Sequence, residues 1–275
     1  MMEKPLERPQ IVEITKSVGE AEGIKTIFLK SDIQAKPGQF IMVWIPRLDE
    51  KPFAISYSGK GQIGITVAAV GPFSNKLYGM KPGDKVGIRG PYGTTYGLDE
   101  DLKTVVMVGG GYGSASLTML TEEALKQGIK VKFILGARTK NRLVYVERIK
   151  KLIGSENLIV TTDDGSTGMK GYVTDALRQL LQKEKVDKIF VCGPDKMMKA
   201  AAEIGIAAGV KGEISAERWF KCGGMGLCGH CCVDPIGIRL CGEGPVIDFE
   251  TAAKITELGN YHRLKSSRKE KMGAH

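Results

Sequence analysis

The sequence has no long hydrophobic segment. Its longest continuous apolar stretches, such as Ile41 to Ile45, have the length of a strand and fall well short of the roughly 18 residues that a membrane span needs. The start of the chain, Met1 to Pro9, carries charges and prolines but no apolar core of the kind found in a secretory signal. We therefore expect a soluble, unsecreted protein located in the cytoplasm.

The sequence also lacks the composition of a disordered or repetitive chain. Hydrophobic residues make up 42% and charged residues 26%, close to the values of about 45–50% and 25% in globular proteins. At roughly 100 to 200 residues per domain, 275 residues suggest two domains. Glycine, with 36 residues, is about 13% of the chain, nearly twice the usual 7% or so, without a collagen period. We infer that glycines are used at particular sites.

The net charge of +9 is unevenly distributed along the chain. In the last fourteen residues, five lysines and arginines oppose the single acidic residue Glu270, which gives this segment +4 and leaves about +5 for the rest. An excess of positive charge is typical of proteins that bind nucleic acid or anionic membranes. No aromatic residues are interleaved with these charges. We expect residues 251–275 to form a solvated, frayed basic tail rather than a nucleic-acid-binding arm.

Residues 1–98 read as short strands separated by turns. Turn-forming residues interrupt the apolar segments at Lys36 to Gly38, Ser58 to Gly61 and Lys81 to Asp84. Repeated short strands at this spacing predict a closed or nearly closed antiparallel β-barrel. The predicted strands are Ile11–Thr15, Ile24–Leu29, Gln39–Ile45, Lys51–Ser56, Gln62–Val70 and Lys85–Arg89.

Residues 99–211 alternate between strands and helices. This alternation predicts a doubly wound parallel sheet, so the fold class is α/β plus β. The predicted strands are Thr104–Val108, Lys130–Leu135, Leu158–Thr162 and Lys188–Cys192, and the predicted helices are Ser116–Gln127, Leu143–Leu152, Val173–Gln182 and Asp195–Ala208.

Two glycine-containing turns follow strands of this predicted sheet. The first contains Gly110 and Gly111, and small residues there let main-chain amides approach a pyrophosphate at a helix N-terminus. The strict G-x-G-x-x-G fingerprint is absent, because Ser114 takes its last position. The second turn contains Cys192 and Gly193. A ligand of an open parallel sheet lies across the carboxyl ends of its strands, so the two turns together predict a dinucleotide site.

Cys192 allows a nucleophilic role, but the chain has only three histidines. These are His230, His262 and His275, and none is near Cys192 in the sequence. Because a nucleophilic cysteine is activated by an adjacent base, we interpret Cys192 as a small buried residue beside a nicotinamide.

Two adjacent carboxylates, Asp163 and Asp164, follow a third strand of the sheet. Such a pair allows acid–base chemistry or metal binding. The surrounding glycine, serine and threonine residues favour a turn with side-chain hydrogen bonds, and we expect Asp164 to contact the ribose of the nucleotide.

Five of the six cysteines lie within twenty residues, in a glycine-rich segment at residues 212–250. An unsecreted chain lacks the oxidising compartment that maintains structural disulfides, so a metal site or cluster is favoured. The spacing resembles that of plant-type [2Fe-2S] loops, although the first gap has five residues rather than four. Structural zinc is the competing interpretation. The candidate ligands are Cys222, Cys228, Cys231 and Cys241, with Cys232 left as a spare thiol.

The predicted barrel, the parallel sheet with its dinucleotide site and the segment with the cysteines follow one another in this order. Residues 9 to about 250 thereby resemble the ferredoxin reductase superfamily. More closely, they resemble the electron-transfer subunits of NAD-dependent dihydroorotate dehydrogenases. The most specific segments are Thr162 to Ser166, Cys192 to Met198, and Glu217 to Cys222.

The resemblance implies an FAD between barrel and sheet, held by a barrel motif of the form Arg-Pro-x-Ser. The motif aligns with Lys51, Pro52, Phe53 and Ala54. Lys51 keeps a positive charge but lacks the bidentate fork of arginine. Ala54 lacks the hydroxyl that often faces the flavin, so a main-chain amide or Ser56, on the same strand face, must replace it.

Further segments take their roles from the same resemblance. It implies flavin contacts at Thr66, Val67, Ala68, Phe73 and Ser74, a glycine turn over the flavin at Gly90 to Gly93, an NAD site that includes Gly110, Gly111, Asp164, Cys192 and Gly193, and a [2Fe-2S] cluster on Cys222, Cys228, Cys231 and Cys241.

The function implied is that of an electron-transfer subunit in pyrimidine biosynthesis. An FMN-containing catalytic subunit would oxidise dihydroorotate, and electrons would reach NAD through the [2Fe-2S] cluster and FAD of this chain, in a heterotetramer with two copies of each subunit. No acid or base for dihydroorotate oxidation is expected in this chain. The alternatives are the flavin subunit of a sulfide dehydrogenase or NADPH-dependent ferredoxin oxidoreductase, and a redox-sensing or zinc-stabilised binding module.

Overall fold

The computed structural model describes residues 8–216, 220–263 and 268–271. The first of these ranges begins with a closed antiparallel barrel, as predicted. Its strand order is β1-β2-β5-β4-β3-β6, and it closes because β6 pairs with β1. Isoleucine, leucine and valine side chains fill its interior, among them the fully buried Ile27, Ile41 and Ile65. The strands are β1 Gln10–Ala21, β2 Ile24–Lys30, β3 Phe40–Ile45, β4 Asp49–Gly59, β5 Gln62–Ala68 and β6 Lys85–Tyr92.

A short helix, α1 Pro72–Gly79, connects β5 to β6 and was not predicted from the sequence. It begins with proline in its first turn, a position at which the missing N–H costs nothing. Phe73 and Leu77, four residues apart, are its buried side chains and pack into the barrel core. Two apolar residues in eight are too weak a periodic signal to predict a helix.

The second half of the chain forms a seven-stranded sheet in the order β10-β9-β8-β7-β11-β12-β13. All neighbours are parallel except β13, which runs antiparallel to β12. The doubly wound sheet is thus confirmed. Its strands are β7 Thr104–Gly110, β8 Lys130–Ala137, β9 Leu158–Thr162, β10 Met169–Lys170, β11 Lys188–Cys192, β12 Lys211–Ser215 and β13 Val246–Asp248, and its helices are α2 Ser114–Lys126, α3 Val146–Ile153, α4 Val173–Lys183, α5 Asp195–Ala207 and α6 Phe249–Lys254.

The central strands of this sheet are buried on both faces. All five residues of β11 are buried, and Val105 to Val108 of β7 have no exposed surface. Continuous apolar runs are typical of parallel strands covered by helices on both sides. This explains why the sequence predicts the bounds of β11 to the residue. The bounds of β9 are also predicted to the residue, although its first three residues are only partly buried.

Strand β12 crosses the expected boundary between the sheet and the cysteine segment. It begins at Lys211, continues to Ser215 and pairs with β11, while β13 returns from the cysteine segment to pair with β12. The chain between β12 and β13, which contains the cysteines, is therefore a long connection between two neighbouring strands of the sheet, and these strands fix both of its ends.

The described part of the basic tail differs from the frayed segment that its charge suggested. Strands β14 Tyr261–Arg263 and β15 Lys269–Lys271 pair with each other in antiparallel register. The Lys269 ammonium group lies 3.3 Å from the carboxylate of the buried Glu257 and also contacts Asp234. Of the remaining tail, residues 264–267 and 272–275 lie outside the described residues. No helix in the described ranges is long and apolar enough to cross a membrane.

Candidate functional site

The barrel opens between β4 and β5, next to the sheet. Within the described barrel, these strands pair only from Ile55, opposite Ile65, to Gly59, opposite Gln62. Before Ile55, β4 pairs with β3, and after Ile65, β5 pairs with β2. The facing edges of the two strands diverge and leave main-chain donors and acceptors for a ligand. Helix α2 contacts β4, and the turn before α2 contacts β5, so the sheet lies beside this opening.

The residues expected to hold FAD line this opening on both sides. Lys51, Pro52, Phe53 and Ala54 lie on the diverging part of β4, and all four are partly exposed. The Lys51 ammonium group lies 2.7 Å from the Asp49 carboxylate. The Phe53 ring lies 6.1 Å from the Phe73 ring, counted between centroids, so β4 and α1 meet at this edge.

The opposite side of the opening is formed by Thr66, Val67 and Ala68 of β5. Val67 is fully buried in the barrel core, so only its main chain faces outward. Ser74, in the first turn of α1, accepts hydrogen bonds from the amides of Val70 and Gly71 at 3.1 and 3.0 Å. It thereby caps the helix end that points towards the opening.

The hydroxyl of Ser56 is already engaged within the barrel. Ser56 is fully buried and donates to the carbonyl of Gly64 at 3.2 Å, while the Thr66 hydroxyl donates to Ser56 at 3.4 Å. Of the two replacements expected for the hydroxyl missing at Ala54, the structure therefore favours a main-chain amide over Ser56.

The two glycine turns of the sheet lie against each other at the carboxyl ends of β7 and β11. Gly109 pairs with Cys192 in the parallel register. A methyl group added at Gly110 would lie 2.5 Å from the Met197 sulfur, and one added at Gly113 would lie 2.8 Å from the Cα atom of Gly193. Only glycine permits these contacts, so the predicted meeting of the two strand ends depends on main-chain packing.

Cys192 lies in an apolar environment beside a tyrosine. Its side chain is buried at the end of β11, and the Tyr96 ring packs edge-on against Phe190, two residues earlier on the same strand, at 5.6 Å. Burial and the neighbouring Cys192 thiol raise the pKa of Tyr96. These surroundings agree with a small buried residue at this position and give no support to a nucleophile.

The Asp163–Asp164 pair forms a hydrogen-bonded turn. The carboxylate of Asp164 accepts a hydrogen bond from the Ser166 amide at 2.9 Å, which lowers the pKa of Asp164. The amides of Asp163 and Asp164 donate to the carbonyls of Ala137 and Arg138, both at 3.2 Å, which joins the ends of β8 and β9. The turn interpretation is supported over a carboxylate pair that performs acid–base chemistry.

The four candidate cluster ligands form two thiol pairs. Burial raises the pKa of Cys222, but hydrogen bonds from the Cys228 and Leu227 amides and from the Cys228 thiol outweigh it and hold this pKa at about 7. The Cys241 thiol and, at 3.4 Å, the Cys241 amide donate to Cys231 Sγ, which lowers the pKa of Cys231 to about 6. Two of the four sulfurs are therefore poised to be thiolates at neutral pH.

The two thiol pairs provide the four donors that a two-iron cluster needs, because a [2Fe-2S] cluster takes two thiolates on each of two irons. In the part of the chain that the structure describes, no three His, Cys, Asp or Glu side chains are grouped around one point. The five-residue first gap is accommodated by Gly223, Gly224 and Gly226, whose φ angles are 71°, 86° and 68°.

The fifth cysteine of this segment, Cys232, forms its hydrogen bond outside the two thiol pairs. Cys232 donates its thiol hydrogen to the carbonyl of Gly237 at 3.1 Å and lies on an isolated bridge with Arg239. It therefore supports the turn of the loop, in agreement with its expected role outside the ligand set.

The cysteine segment is seated directly on the barrel. The Phe220 ring lies 4.7 Å from the Phe40 ring of β3, and a methyl group added at Gly224 would lie 2.7 Å from the Tyr92 ring of β6. Glu217, Arg218 and Trp219, which begin the characteristic segment ending at Cys222, lie outside the described residues.

The connection between barrel and sheet also holds the far end of the cysteine segment. Thr94 donates its amide hydrogen to the Gly244 carbonyl at 2.6 Å, and its hydroxyl both donates to the carbonyl and accepts from the amide of Val246, at 2.8 and 3.0 Å. Two residues later, the Tyr96 amide donates to the Pro37 carbonyl of the barrel at 3.0 Å. The three candidate sites are thus fixed relative to one another.

Comparison with known proteins decides the family. The chain is 41% identical over 264 residues to a protein of Methanocaldococcus jannaschii named "Probable dihydroorotate dehydrogenase B (NAD(+)), electron transfer subunit", covering 96% of this chain and 99% of the relative. A protein of the same name from Methanocella arvoryzae is 41% identical over 269 residues, covering 96% and 100%. The chain belongs to this family of electron transfer subunits. Residues 107–203 also match the family model of the oxidoreductase NAD-binding domain.

Solved structures agree on the fold. A chain in the structure of an NADH-dependent reduced ferredoxin-NADP oxidoreductase is 31% identical, with a TM-score of 0.81 and coverage of 90% of this chain and 91% of that one. Phthalate dioxygenase reductase, at 14% identity, has a TM-score of 0.60 over 71% of this chain and 64% of its own, and shows the fold alone. The expected family and fold class are therefore confirmed, and the protein is an oxidoreductase subunit.

Sequence reasoning missed one polar contact beside the candidate flavin opening. Tyr145, at the start of α3, has a φ of 61°, a left-handed conformation that is uncommon outside glycine. Its buried hydroxyl is hydrogen-bonded to Thr26 at 2.8 Å and to Thr66. These bonds fasten the nucleotide domain to β2 and β5. A single tyrosine between two apolar residues carries no sequence signal for such a contact.

Replacing Tyr145 with phenylalanine tests this fastening. The Tyr145→Phe variant should lower the free energy of unfolding by about 0.5–1.5 kcal/mol, because the two threonine hydroxyls lose one partner but keep each other at 3.2 Å. Urea unfolding followed by circular dichroism measures the change. Tyr57→Phe, which keeps the edge-on contact with Phe28 at 5.6 Å, is the control. Equal urea midpoints for both variants would show that the Tyr145 hydroxyl does not stabilise the contact between the sheet domain and the barrel.

Proposed function

We propose that this chain accepts electrons from the FMN of a dihydroorotate dehydrogenase catalytic subunit and passes them through a [2Fe-2S] cluster and FAD to NAD. The observation that carries the proposal is the arrangement of two thiol pairs on a loop whose ends are fixed to the barrel and the sheet. Family membership supports the assignment to dihydroorotate oxidation in pyrimidine biosynthesis.

The division of labour has a chemical reason. A flavin exchanges single electrons with an iron–sulfur cluster and a hydride with nicotinamide, so the two groups together connect one-electron and two-electron chemistry.

The cysteine loop would supply the cluster ligands from Cys222, Cys228, Cys231 and Cys241. Metal ligation requires deprotonated thiols. Hydrogen bonds lower the pKa of one thiol in each pair, Cys222 and Cys231, whereas the hydrogen bond to Cys231 raises the pKa of Cys241, which would give up its proton on binding iron. The main-chain amides that stabilise these thiolates would also stabilise negative charge on bound sulfur.

The barrel opening would hold FAD between β4 and β5. Lys51 would offer a positive charge to the flavin phosphates, with Asp49 as its present counter-charge. Pro52, Phe53 and Ala54 on one side and Thr66, Val67 and Ala68 on the other would hold the flavin. Phe73 and Ser74 would position the first turn of α1 towards its phosphates.

The strand ends of the sheet would bind NAD. Gly110 and Gly193 let the two turns pack against each other, the space beside Gly111 is open, and the buried Cys192 would exclude water from the nicotinamide end. Asp164 would meet the ribose from the neighbouring turn, where its hydrogen bond to Ser166 keeps it ionised.

The proposal needs a second protein, because none of the described sites suits dihydroorotate oxidation. The carboxylate pair of this chain, Asp163 and Asp164, is engaged in a turn, and its buried cysteine, Cys192, has an apolar environment. An FMN-containing catalytic subunit, in a cytoplasmic heterotetramer with two copies of each chain, would supply that reaction.

A second function is favoured by one comparison. The similarity to a chain of the NADH-dependent reduced ferredoxin-NADP oxidoreductase extends over 90% of this chain at 31% identity. The flavin subunit of such an enzyme would exchange electrons with NADP and ferredoxin rather than with dihydroorotate. The higher identity to the dihydroorotate dehydrogenase subunits places this alternative second.

Substitution of each cysteine tests the cluster assignment. Serine at Cys222, Cys228, Cys231 or Cys241 should remove the visible absorption of the cluster and most of about two irons per chain, whereas Cys232→Ser should retain both. Iron and acid-labile sulfide analysis of anaerobically purified protein measures the outcome. Zinc without iron in the wild type, or cluster loss in the Cys232 variant alone, would contradict the assignment.

Coupling to a partner tests the electron route. The isolated chain should oxidise NADH with an artificial dye but should not oxidise dihydroorotate, and dihydroorotate-dependent NAD reduction should require an added FMN-bearing subunit. Serine at a cluster cysteine should abolish the coupled reaction and spare much of the dye reaction, with Cys232→Ser as the control. Coupling to ferredoxin and NADP in place of dihydroorotate would favour the second function, and dihydroorotate oxidation by this chain alone would contradict both.

A further inference from the structure

Arg89 is a buried cation at the contact between barrel and cysteine loop. It lies on β6, opposite Met42 of β3, and only 9% of its side chain is exposed. A charged side chain is seldom buried to this extent without a specific partner. Its role is not accounted for by the flavin or nicotinamide residues described above.

One partner of Arg89 is Glu50 on β4. Arg89 Nε donates to Glu50 Oε1 at 2.8 Å, and Nη2 donates to Glu50 Oε2, so the pair is bidentate. The hydrogen bond to Glu50 raises the pKa of Arg89. The guanidinium is therefore a permanent positive charge with one fixed orientation.

The other side of the guanidinium lies against the main chain of Gly223, the residue after Cys222. A methyl group added at Gly223 would lie 1.8 Å from Arg89 Nη2, 2.7 Å from Cζ and 3.0 Å from Nη1. The three nearest heavy atoms to that position all belong to the guanidinium. Gly223 also has a φ of 71°, so both the contact and the conformation require glycine here.

The cation thus lies between the carboxylate of Glu50 and the Cys222 end of the loop. Because the guanidinium supplies the atoms nearest to Gly223, its positive charge acts on this end of the loop more strongly than the negative charge of Glu50 behind it. Both charges are largely removed from solvent, with side chains 9% and 22% exposed, so solvent screens them little.

We propose that Arg89 is a positioning residue that fixes the Cys222 end of the cysteine loop on the barrel and, through its charge, raises the reduction potential of the cluster. Reduction adds negative charge to a cluster held by four thiolates, and nearby charge is one of the factors that set its potential. The inference rests on the proposed [2Fe-2S] cluster and assigns a role to a residue outside the ligand set.

The test is a reductive titration of the full-length, cluster-loaded chain, followed by electron paramagnetic resonance. Arg89→Gln should shift the cluster potential to a more negative value, because the reduced form loses a neighbouring cation. Glu50→Gln should shift it to a more positive value, because the cation loses its counter-charge. Arg89→Lys, which keeps the charge without the bidentate geometry, should fall between Arg89→Gln and the wild type.

Lys132→Gln provides the matched control. It removes one cation from an ion pair with Glu184, on β8, away from the edge of the sheet that carries the cysteine segment, and should leave the potential unchanged. A purely structural role of Arg89 predicts that Arg89→Gln and Glu50→Gln both loosen the loop and shift the potential in the same direction. Equal or same-direction shifts would overturn the inference.

The possible outcomes distinguish a failure of this inference from a failure of the proposed function. If Arg89→Gln does not retain the cluster, the Glu50→Gln variant provides the test, because it keeps the cation of Arg89. An unchanged or more negative cluster potential in Glu50→Gln would then overturn the inference. Wild-type protein that contains no iron or acid-labile sulfide would overturn the proposed function and the inference together. A normal wild-type cluster without opposite shifts overturns the inference alone.

Discussion

The hydrogen bonds of Thr94 hold the three parts of the molecule in one arrangement. Thr94 lies in the connection between barrel and sheet, and it binds the main chain at Gly244 and Val246, where the cysteine segment returns to the sheet. Strand β13 and the hydrogen bond from the Ala216 amide to the Pro245 carbonyl, at 2.9 Å, hold the same end of the segment to the sheet, whereas Thr94 joins it to the connection with the barrel. Electron transfer between bound groups depends on fixed separations, so a connection that joins all three candidate sites is a structural requirement of the proposed function.

Close packing explains several of the glycines at the candidate sites. At the nucleotide turns, a side chain at Gly110 or Gly113 would collide with the facing turn, and in the cysteine loop, one at Gly223 or Gly224 would collide with the barrel. These glycines bring main chain against main chain or against a fixed side chain, which removes the space that a side chain would otherwise occupy. The same property would admit the pyrophosphate or cluster sulfide of the proposed function close to the amides.

The sequence predicts well those features that depend on local pattern. A continuous apolar run reveals β11 because both faces of this central parallel strand are buried, and the cysteine spacing predicts a candidate ligand set because the four thiols lie on one loop. The sequence alone predicts neither the placement of β12 and β13 beside each other nor the contact of Tyr145 with Thr66. Both depend on residues far apart in the chain, and a single tyrosine or a three-residue strand has no periodicity. Arg89 was missed for the same reason, since its burial follows from a loop more than a hundred residues away.

The central claim is that flavin, cluster and nicotinamide sites form one connected unit within a single chain. The most direct measurement is anaerobic mixing of the isolated chain with NADH, with flavin absorbance and the paramagnetic signal of the cluster followed in the same sample. The flavin should bleach, and the cluster signal should then appear without any partner protein. Flavin that bleaches while the cluster remains oxidised, with a cluster that a chemical reductant of similar potential does reduce, would contradict that claim.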